Sequence, residues 1–322
     1  MEQPLDPKVL QRIQLLEDKF KDMGQDLASH LDGLLYSDYL KYWGYIHLDT
    51  LLSIQQPRTD LPDEVVFIIY HQITELYFRL IIWELEQVAK LEAHQDEVFL
   101  QKIQRINLYF GHLKHSFEIM EHGMEQEQFL KFRMSLYPAS GFQSIQFRLI
   151  EVFATEVHNL VHEDSRHLVG EDASIESCYE HIYWKRGATD LKTGQKSLSL
   201  VHFEKKYSKL IVRKAKEYRQ TNVWTLYKRF FSHSPLQEQI IPALRRFDQF
   251  ANVTWPLAHY KSAARYLLKN GPDAKSTGGT NWKKYLPPKY QRIVFFPELW
   301  SKEELDNWGK NYIVEQVLHM NL

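Results

Sequence analysis

The sequence predicts an all-α chain folded as one domain over residues 1–322. Glycine and proline are sparse, 13 and 12 of the 322 residues, so little interrupts regular structure. Apolar side chains recur every three or four residues, the period of one helix face, and do not alternate as in a half-buried strand. The runs that keep this period are far longer than a strand.

The first run, PKVLQRIQLLEDKFKDMGQDLASHLDGLL, spaces Leu, Ile and Phe in this way and gives a helical arm within residues 1–41. DEVVFIIYHQITELYFRLIIWELEQV, Asp63 to Val88, is a strongly apolar helix. Pro62 suits its first turn, and Asp63 and Glu64 lie where the helix dipole favours acid. VFLQKIQRINLYFGHLKHSFEIMEHG makes a third helix. GFQSIQFRLIEVFATEVHNLVHE makes a fourth, with Ser140 and Gln143 at capping-box spacing. KKYSKLIVRKAKEYRQ and SPLQEQIIPALRRFDQFANVTWPLAHYKSAARYLLKN supply the later helices, the last stopping at Gly271–Pro272. From Cys178 to about Val201 the chain turns polar and irregular, as an inserted loop or small subdomain would. No internal repeat stands out.

Composition narrows the function. Forty basic and forty-one acidic residues leave a net charge of -1, which offers no field to attract nucleic acid or an anionic membrane surface. The N-terminus MEQPLDPKVLQRIQ has no apolar signal core, and no uninterrupted apolar run spans a bilayer. One cysteine, Cys178, excludes an internal disulfide framework and a Cys-rich metal site. A soluble, cytoplasmic protein is the expectation. Aromatic residues reach 14% and there are 15 histidines; such aromatics fill a helical core or wall a planar ligand.

Several motifs carry little. HNLVHEDSRH places His158 and His162 on one helical face, but the glutamate that follows the first histidine in metalloproteases is missing, and a solvated helix end explains the pair better. LKTGQKS lacks the glycine spacing of a phosphate loop. His112 and His115 read as surface residues.

Three places carry more. His71 stands one turn past Phe67 inside the most apolar helix, so both rings share a face. A histidine there serves either as a satisfied core residue or as a catalyst. FRMSLYPASGFQSIQFR brings Arg133, a Pro-Ala-Ser-Gly turn and a helix start whose N–H groups suit an anion. WPLAHYKSAARYLLKNGPDAKSTGGTNW brings His259 on a helix and then a Ser-Thr-Gly-Gly-Thr run suited to closing over a ligand.

Together these places resemble the tryptophan 2,3-dioxygenases, a family of haem enzymes. The resemblance begins at YWGYIHLDTLLSIQQP and DEVVFIIYHQITELYF, returns at PASGFQSIQFRLIE and STGG, and ends at FFPELW. It frames Tyr42 to Trp300 and is poorest from about Glu163 to Phe250. It implies haem b with His259 as the proximal iron ligand, beside Trp255, with Ser140 and Gly141 on the turn next to the haem. An imidazole suits a ferrous, oxygen-binding haem. It implies His71 on the distal side near the indole nitrogen, Phe67 and Phe129 against the substrate, Arg133 on the substrate carboxylate and Thr277 on its amino-acid end. It also implies a homotetramer in which Tyr42 and Tyr45 enter a neighbour's pocket. L-tryptophan and O2 are the implied substrates and N-formylkynurenine the product. A haem hydroxylase of tyrosine or another aromatic amino acid, and a haem sensor without turnover, are the alternatives. Two features depart from the family: Pro256, three residues before His259, and a longer KNGPDAK segment before Thr277. The proline predicts a kink beside the iron ligand.

Overall fold

The computed structural model describes residues 5–37, 41–137, 141–170, 172–190, 193–267 and 292–309. Among the described residues the regular structure is helical, and two isolated bridges are the only β pairing. The all-α expectation holds. The chain divides into two units, Met1–Gln56 and Pro57–Leu322.

The first unit holds α1 (Pro7–Asp22), α2 (Leu27–Tyr36), α3 (Tyr42–Tyr45) and α4 (Leu48–Ser53). Asp6 caps α1 by accepting the Lys8 N–H at 2.8 Å, with Pro7 in the first turn. The N-terminal run splits into two helices because Gly24 adopts a left-handed φ of 66° and Asp26 then caps α2. None of the four helices buries a residue. This arm has no core of its own.

The second unit is built on a hairpin of α5 (Pro62–Val88) and α6 (Asp96–His122). Ring contacts Tyr70–Phe117 and Tyr77–His112 and the ion pair Glu84–Arg105 fix them as antiparallel. At the start of α5 the buried Glu64 accepts the Thr59 and Arg58 backbone N–H groups at 2.7 and 3.0 Å. Burial disfavours its charge, yet these bonds prevail and hold its pKa below the ordinary carboxylate range. By length and composition α5 could cross a bilayer, although Glu75 and Arg79 interrupt its apolar stretch. In this fold it packs along α6 and α8 (Ile145–Ala154). Phe78, Ile81 and Leu85 of α5 meet Phe99, Ile103 and Phe110 of α6 in the main core.

The remaining helices are α7 (Gln126–Phe132), α9 (Ile175–Glu180), α10 (Tyr183–Gly187), α11 (Leu198–Glu217), α12 (Val223–Leu226), α13 (Gln237–Gln249), α14 (Trp255–Leu267) and α15 (Lys302–Asp306). Two helices, α8 and α10, depart from the sequence reading. The cap of α8 is Ser144, which accepts the Phe147 N–H at 3.3 Å, and not Ser140. That helix ends at Ala154, because Thr155 turns extended and donates its hydroxyl to the Phe295 carbonyl at 2.5 Å. Short 3-10 turns follow, so His158 and His162 do not share a helix face. The stretch after Cys178 contributes α10, whose Tyr183 and Trp184 are buried in the main core. There Tyr183 donates to Glu151 at 2.5 Å, with Arg148 at 3.3 Å from the same carboxylate. The QFRLIE motif thus supplies a buried ionic cluster.

Between α13 and α14 the chain winds as a π-helix over Phe250–Thr254. Pro256 lacks an N–H and crowds the Asn252 carbonyl, and the wider π turn lies directly before it. Asp248 anchors this joint. Its fully buried carboxylate accepts from the Asn252 amide at 2.8 Å, the Phe295 and Phe296 N–H groups at 2.9 and 3.1 Å, and the Trp300 indole N–H at 3.0 Å. Burial nevertheless pushes its pKa up to about 6.

Asp248→Ala leaves those donors without an acceptor, at roughly 1–3 kcal/mol for each one that stays buried. A loss of about 3 kcal/mol or more in unfolding free energy is expected from urea denaturation. A loss below about 1 kcal/mol would mean that the FFPELW segment is held by its rings alone.

Candidate active site

A second, smaller core lies at the end of the hairpin where α5 begins and α6 stops. It joins Tyr70 of α5, Phe117 and Met120 of α6, Phe132 of α7 and Tyr266 of α14. Phe67, Phe129 and Trp255 pack against it, half-buried. Helical spacing explains the grouping: Phe67, Tyr70 and His71 fall on one side of α5, as three- and four-residue neighbours do.

His71 is fixed from its own helix. Its Nδ1 lies 2.7 Å from the Phe67 carbonyl oxygen, and its ring stands 4.1 Å from the Phe67 ring. A carbonyl only accepts, so Nδ1 carries the proton and Nε2 keeps its lone pair in the neutral ring. His71 retains accessible surface, yet burial among its neighbours lowers its pKa, against the raising effects of that carbonyl and Glu75.

His259 comes from α14. Burial first, and then the positive charge that His71 would carry, lower its pKa to about 4. Tyr70 and Phe117 link the two imidazoles: Tyr70 stands edge-on to His71 at 5.5 Å, and the Tyr70 and Phe117 rings lie 5.7 Å apart. The His259 ring runs nearly parallel to Phe117 at 6.3 Å, and Trp255, one turn earlier, packs on Phe117 at 4.8 Å and Phe78 at 5.4 Å. Among the described residues no protein group hydrogen-bonds the His259 ring. It is a neutral imidazole with an unused lone pair. Helix α14 is tied down by Tyr266, whose hydroxyl donates to the Met120 carbonyl. The Gln126 amide adds bonds to the Arg265 and Tyr266 carbonyls at 3.2 and 3.3 Å, and Lys261 pairs with Glu121 at 2.7 Å.

Arg133 follows Phe132 at the end of α7, in a 3-10 turn over Arg133–Leu136. It is half-buried, and burial lowers its pKa from the ordinary guanidinium value. Phe67 stands 5.7 Å from Phe132 and 6.1 Å from Phe129, so α7 meets α5 at the His71 turn. Of the residues singled out in the sequence, Phe67, His71, Phe129, Trp255 and His259 meet here, with Arg133 adjoining. Gly141 opens the 3-10 turn Gly141–Gln143, whose Phe142 packs on Trp184. Tyr42 and Tyr45 lie on α3 in the first unit, 71% and 74% exposed. Ser140 and Thr277 fall outside the described residues. The sequence reading missed Tyr70, Phe117, Phe132 and Tyr266. Their signal was present in the spacing, since Tyr266 stands two turns beyond His259 and Tyr70 beside His71. An open cavity of about 440 Å³ bounded by Val152, Cys178, Arg219 and Lys228 shares no residue with this site.

The family model of tryptophan 2,3-dioxygenase matches residues 21–161. A tryptophan 2,3-dioxygenase of Herpetosiphon aurantiacus is 30% identical over 269 residues, covering 82% of this chain and 98% of the relative. The chain belongs to the tryptophan 2,3-dioxygenase family. The corresponding protein of Ruegeria sp. (strain TM1040) is 28% identical over 298 residues, 89% of this chain and 98% of its own length. That of Xenopus laevis is 38% identical over 150 residues, 42% of this chain and 35% of its own. The family match ends at Val161, close to where the sequence resemblance weakens.

Both histidines have folded-state pKa values below the unfolded value of about 6.5. The neutral rings therefore stabilise the fold fully above about 6.5, and this contribution is lost as pH falls through the folded values, about 4 for His259. In haem-free protein, chemical denaturation at stepped pH should show stability declining from about 6.5 toward 4. His259→Leu should reduce that slope by up to about 1.4 kcal/mol per pH unit. An unchanged slope would mean that His259 is as solvated folded as unfolded.

Proposed function

We propose that this chain is a haem-dependent dioxygenase that inserts both atoms of O2 across the indole C2–C3 bond of L-tryptophan, giving N-formylkynurenine. The observation that carries the reading is the pair of imidazoles, His71 of α5 and His259 of α14, bordering one aromatic cluster through Tyr70 and Phe117. The family membership supports the same reaction. It also favours tryptophan over a tyrosine hydroxylase or a sensor, since the relatives described above carry the dioxygenase name.

The donor set fits haem. His259 offers a neutral nitrogen with no competing protein bond, and Phe117 and Trp255 give an apolar seat. His259 would hold the haem iron, with Trp255, Gly141 and Ser140 beside the haem. Haem, when bound, supplies the oxygen activation that amino-acid side chains lack.

The chain supplies binding, orientation and dryness. His71 Nε2, an acceptor because Nδ1–H is committed to the Phe67 carbonyl, receives the indole N–H and aligns the ring. Phe67 and Phe129 pack on the indole and exclude water. The Arg133 guanidinium grips the carboxylate through two charge-assisted bonds, and Thr277 serves the amino-acid end. The partly desolvated setting of Arg133 supports this role, because a carboxylate is bound more strongly where water is scarce.

Removing one partner of a buried charge pair costs roughly 2–5 kcal/mol, and each 1.4 kcal/mol is about tenfold. Arg133→Leu should therefore lower kcat/KM for tryptophan by roughly thirty-fold to several thousand-fold. Tryptamine, which lacks the carboxylate, should be a poor substrate of the wild type and lose far less on the same change. Equal losses would assign Arg133 to the fold or to a haem propionate.

A cytoplasmic homotetramer completes the reading. The first unit exposes Leu34, Leu35, Tyr42 and Tyr45, and the outer side of α5 exposes Leu76, Leu80 and Trp83; a neighbouring copy would cover such surfaces. Tyr42 and Tyr45 then complete the partner's pocket. Subunits carrying Tyr42→Ala and Tyr45→Ala, dissociated and reassembled with Arg133→Leu subunits, should regain activity that neither shows alone. No recovery in verified mixed assemblies would return the tyrosines to their own chain.

A further inference from the structure

We propose that Tyr266 is a specificity-determining residue, which fixes the wall on the indole side of the site through Phe129 and Phe67. The inference rests on the reading of Phe67 and His71 given above. It starts from a position that contacts neither histidine.

Tyr266 is 1% exposed, and both parts of its side chain are engaged. The hydroxyl donates to the Met120 carbonyl and stands 3.4 Å from that of Met124, which pins it to the last turn of α6 and the segment after it. A buried tyrosine held at its tip keeps its ring in one place. That ring lies 4.6 Å from the ring of Phe129. Phe129 stands edge-on to Phe132 at 5.5 Å and reaches Phe67 at 6.1 Å. Phe67 then stands 4.1 Å from His71. An unbroken series of rings runs from α14 through α7 to α5 and ends at the imidazole assigned to the indole nitrogen.

The rings of the series differ in how closely they are enclosed. Phe67 and Phe129 are half-buried, whereas Tyr266, and Phe132 beside Phe129, are fully buried and closely packed. The fixed pair therefore decides where the half-buried pair comes to rest. Tyr266 also lies seven residues beyond His259 on the same helix, two turns on and on the same side. One rigid element thus presents the imidazole and sets the opposite aromatic wall, so the gap between them is a property of α14. Shortening the side chain at 266 lets Phe129 fall back and Phe67 follow it, which widens the space for the benzo ring. A single methyl group is discriminated about 10- to 200-fold by a closely fitted apolar pocket, so the effect is measurable on ring-methylated substrates.

The test compares the wild-type holoenzyme with Tyr266→Met and Tyr266→Phe on tryptophan and its 4-, 5-, 6- and 7-methyl derivatives. It measures steady-state turnover and, on the ferric enzyme without turnover, calorimetric binding. Tyr266→Met should raise the preference for at least one methyltryptophan over tryptophan by about tenfold in both measurements. Tyr266→Phe, which keeps the ring, should retain the wild-type preference while lowering the melting temperature. Phe129→Leu should reproduce the Tyr266→Met preference, and the double variant should add little to either. Unchanged preferences in Tyr266→Met and Phe129→Leu, with tryptophan still bound, overturn the proposal alone. If Tyr266→Met does not fold, Phe129→Leu and Tyr266→Phe decide between the same outcomes. A wild type that neither binds nor oxidises tryptophan overturns the functional reading, and this proposal with it.

Discussion

Two imidazoles must be kept uncharged on different helices, linked to one another through the rings of Tyr70 and Phe117. Everything around His71 and His259 serves that requirement. Desolvation by the surrounding protein disfavours a proton on either ring, although His71 keeps accessible surface, and the Phe67 carbonyl decides which nitrogen of His71 remains an acceptor. The constraint has two geometric parts. Helix α5 has to run straight through the apolar layer with a polar residue at its middle, and α14 has to be held against α6 from the opposite direction. The first is met by the α5–α6 hairpin, the second by Tyr266, Gln126 and Lys261.

The polar groups that the fold buries are spent on joints. Asp248 collects four donors where α13 meets the returning FFPELW segment. Arg148, Glu151 and Tyr183 fasten α8 to α10, and burial raises the Glu151 pKa to about 7 although Arg148 and Tyr183 act to lower it. Such clusters are poor sources of net stability, since apolar replacements of equal shape often do as well. Their geometry is demanding, however, and a carboxylate that needs several donors at once admits few alternative packings.

Helical periodicity made most of the fold legible, because a long amphipathic run constrains itself. Pro62 with Asp63 and Glu64 located the start of α5 for reasons that the structure repeats. The failures came where tertiary contacts overrule local preference. Ser140 had the better capping spacing, yet Ser144 caps α8. The long run through His158 and His162 is cut by Thr155, whose bond partner lies 140 residues away and leaves no local trace. The polar stretch after Cys178 concealed Tyr183 and Trp184, two aromatics too few to give a period. At the site, Phe67, His71, Trp255 and His259 were legible through a family resemblance, and the structure brings them to one place. Tyr266 stood at helical spacing from His259, but its role was not legible, because a tyrosine in an amphipathic helix looks the same whether it fills space or aims another ring.

The π-helical turn at Phe250–Thr254 bears on the phase of everything after it. In an uninterrupted α-helix, residues eleven apart, such as 248 and 259, project within about 20° of one another. Carboxylate and imidazole would then address the same side, and either the C-terminal segment or the histidine site would lose its contact. A π turn takes up one residue more than an α turn, which rotates the downstream helix by about 100° relative to the upstream one. Asp248 can thereby face Phe295 and Trp300 while His259 faces Phe117 and His71. A homologue with a plain α-helix here would need its histidine or its acid one position away, and an alignment of the two chains would have to open a single-residue gap inside a helix.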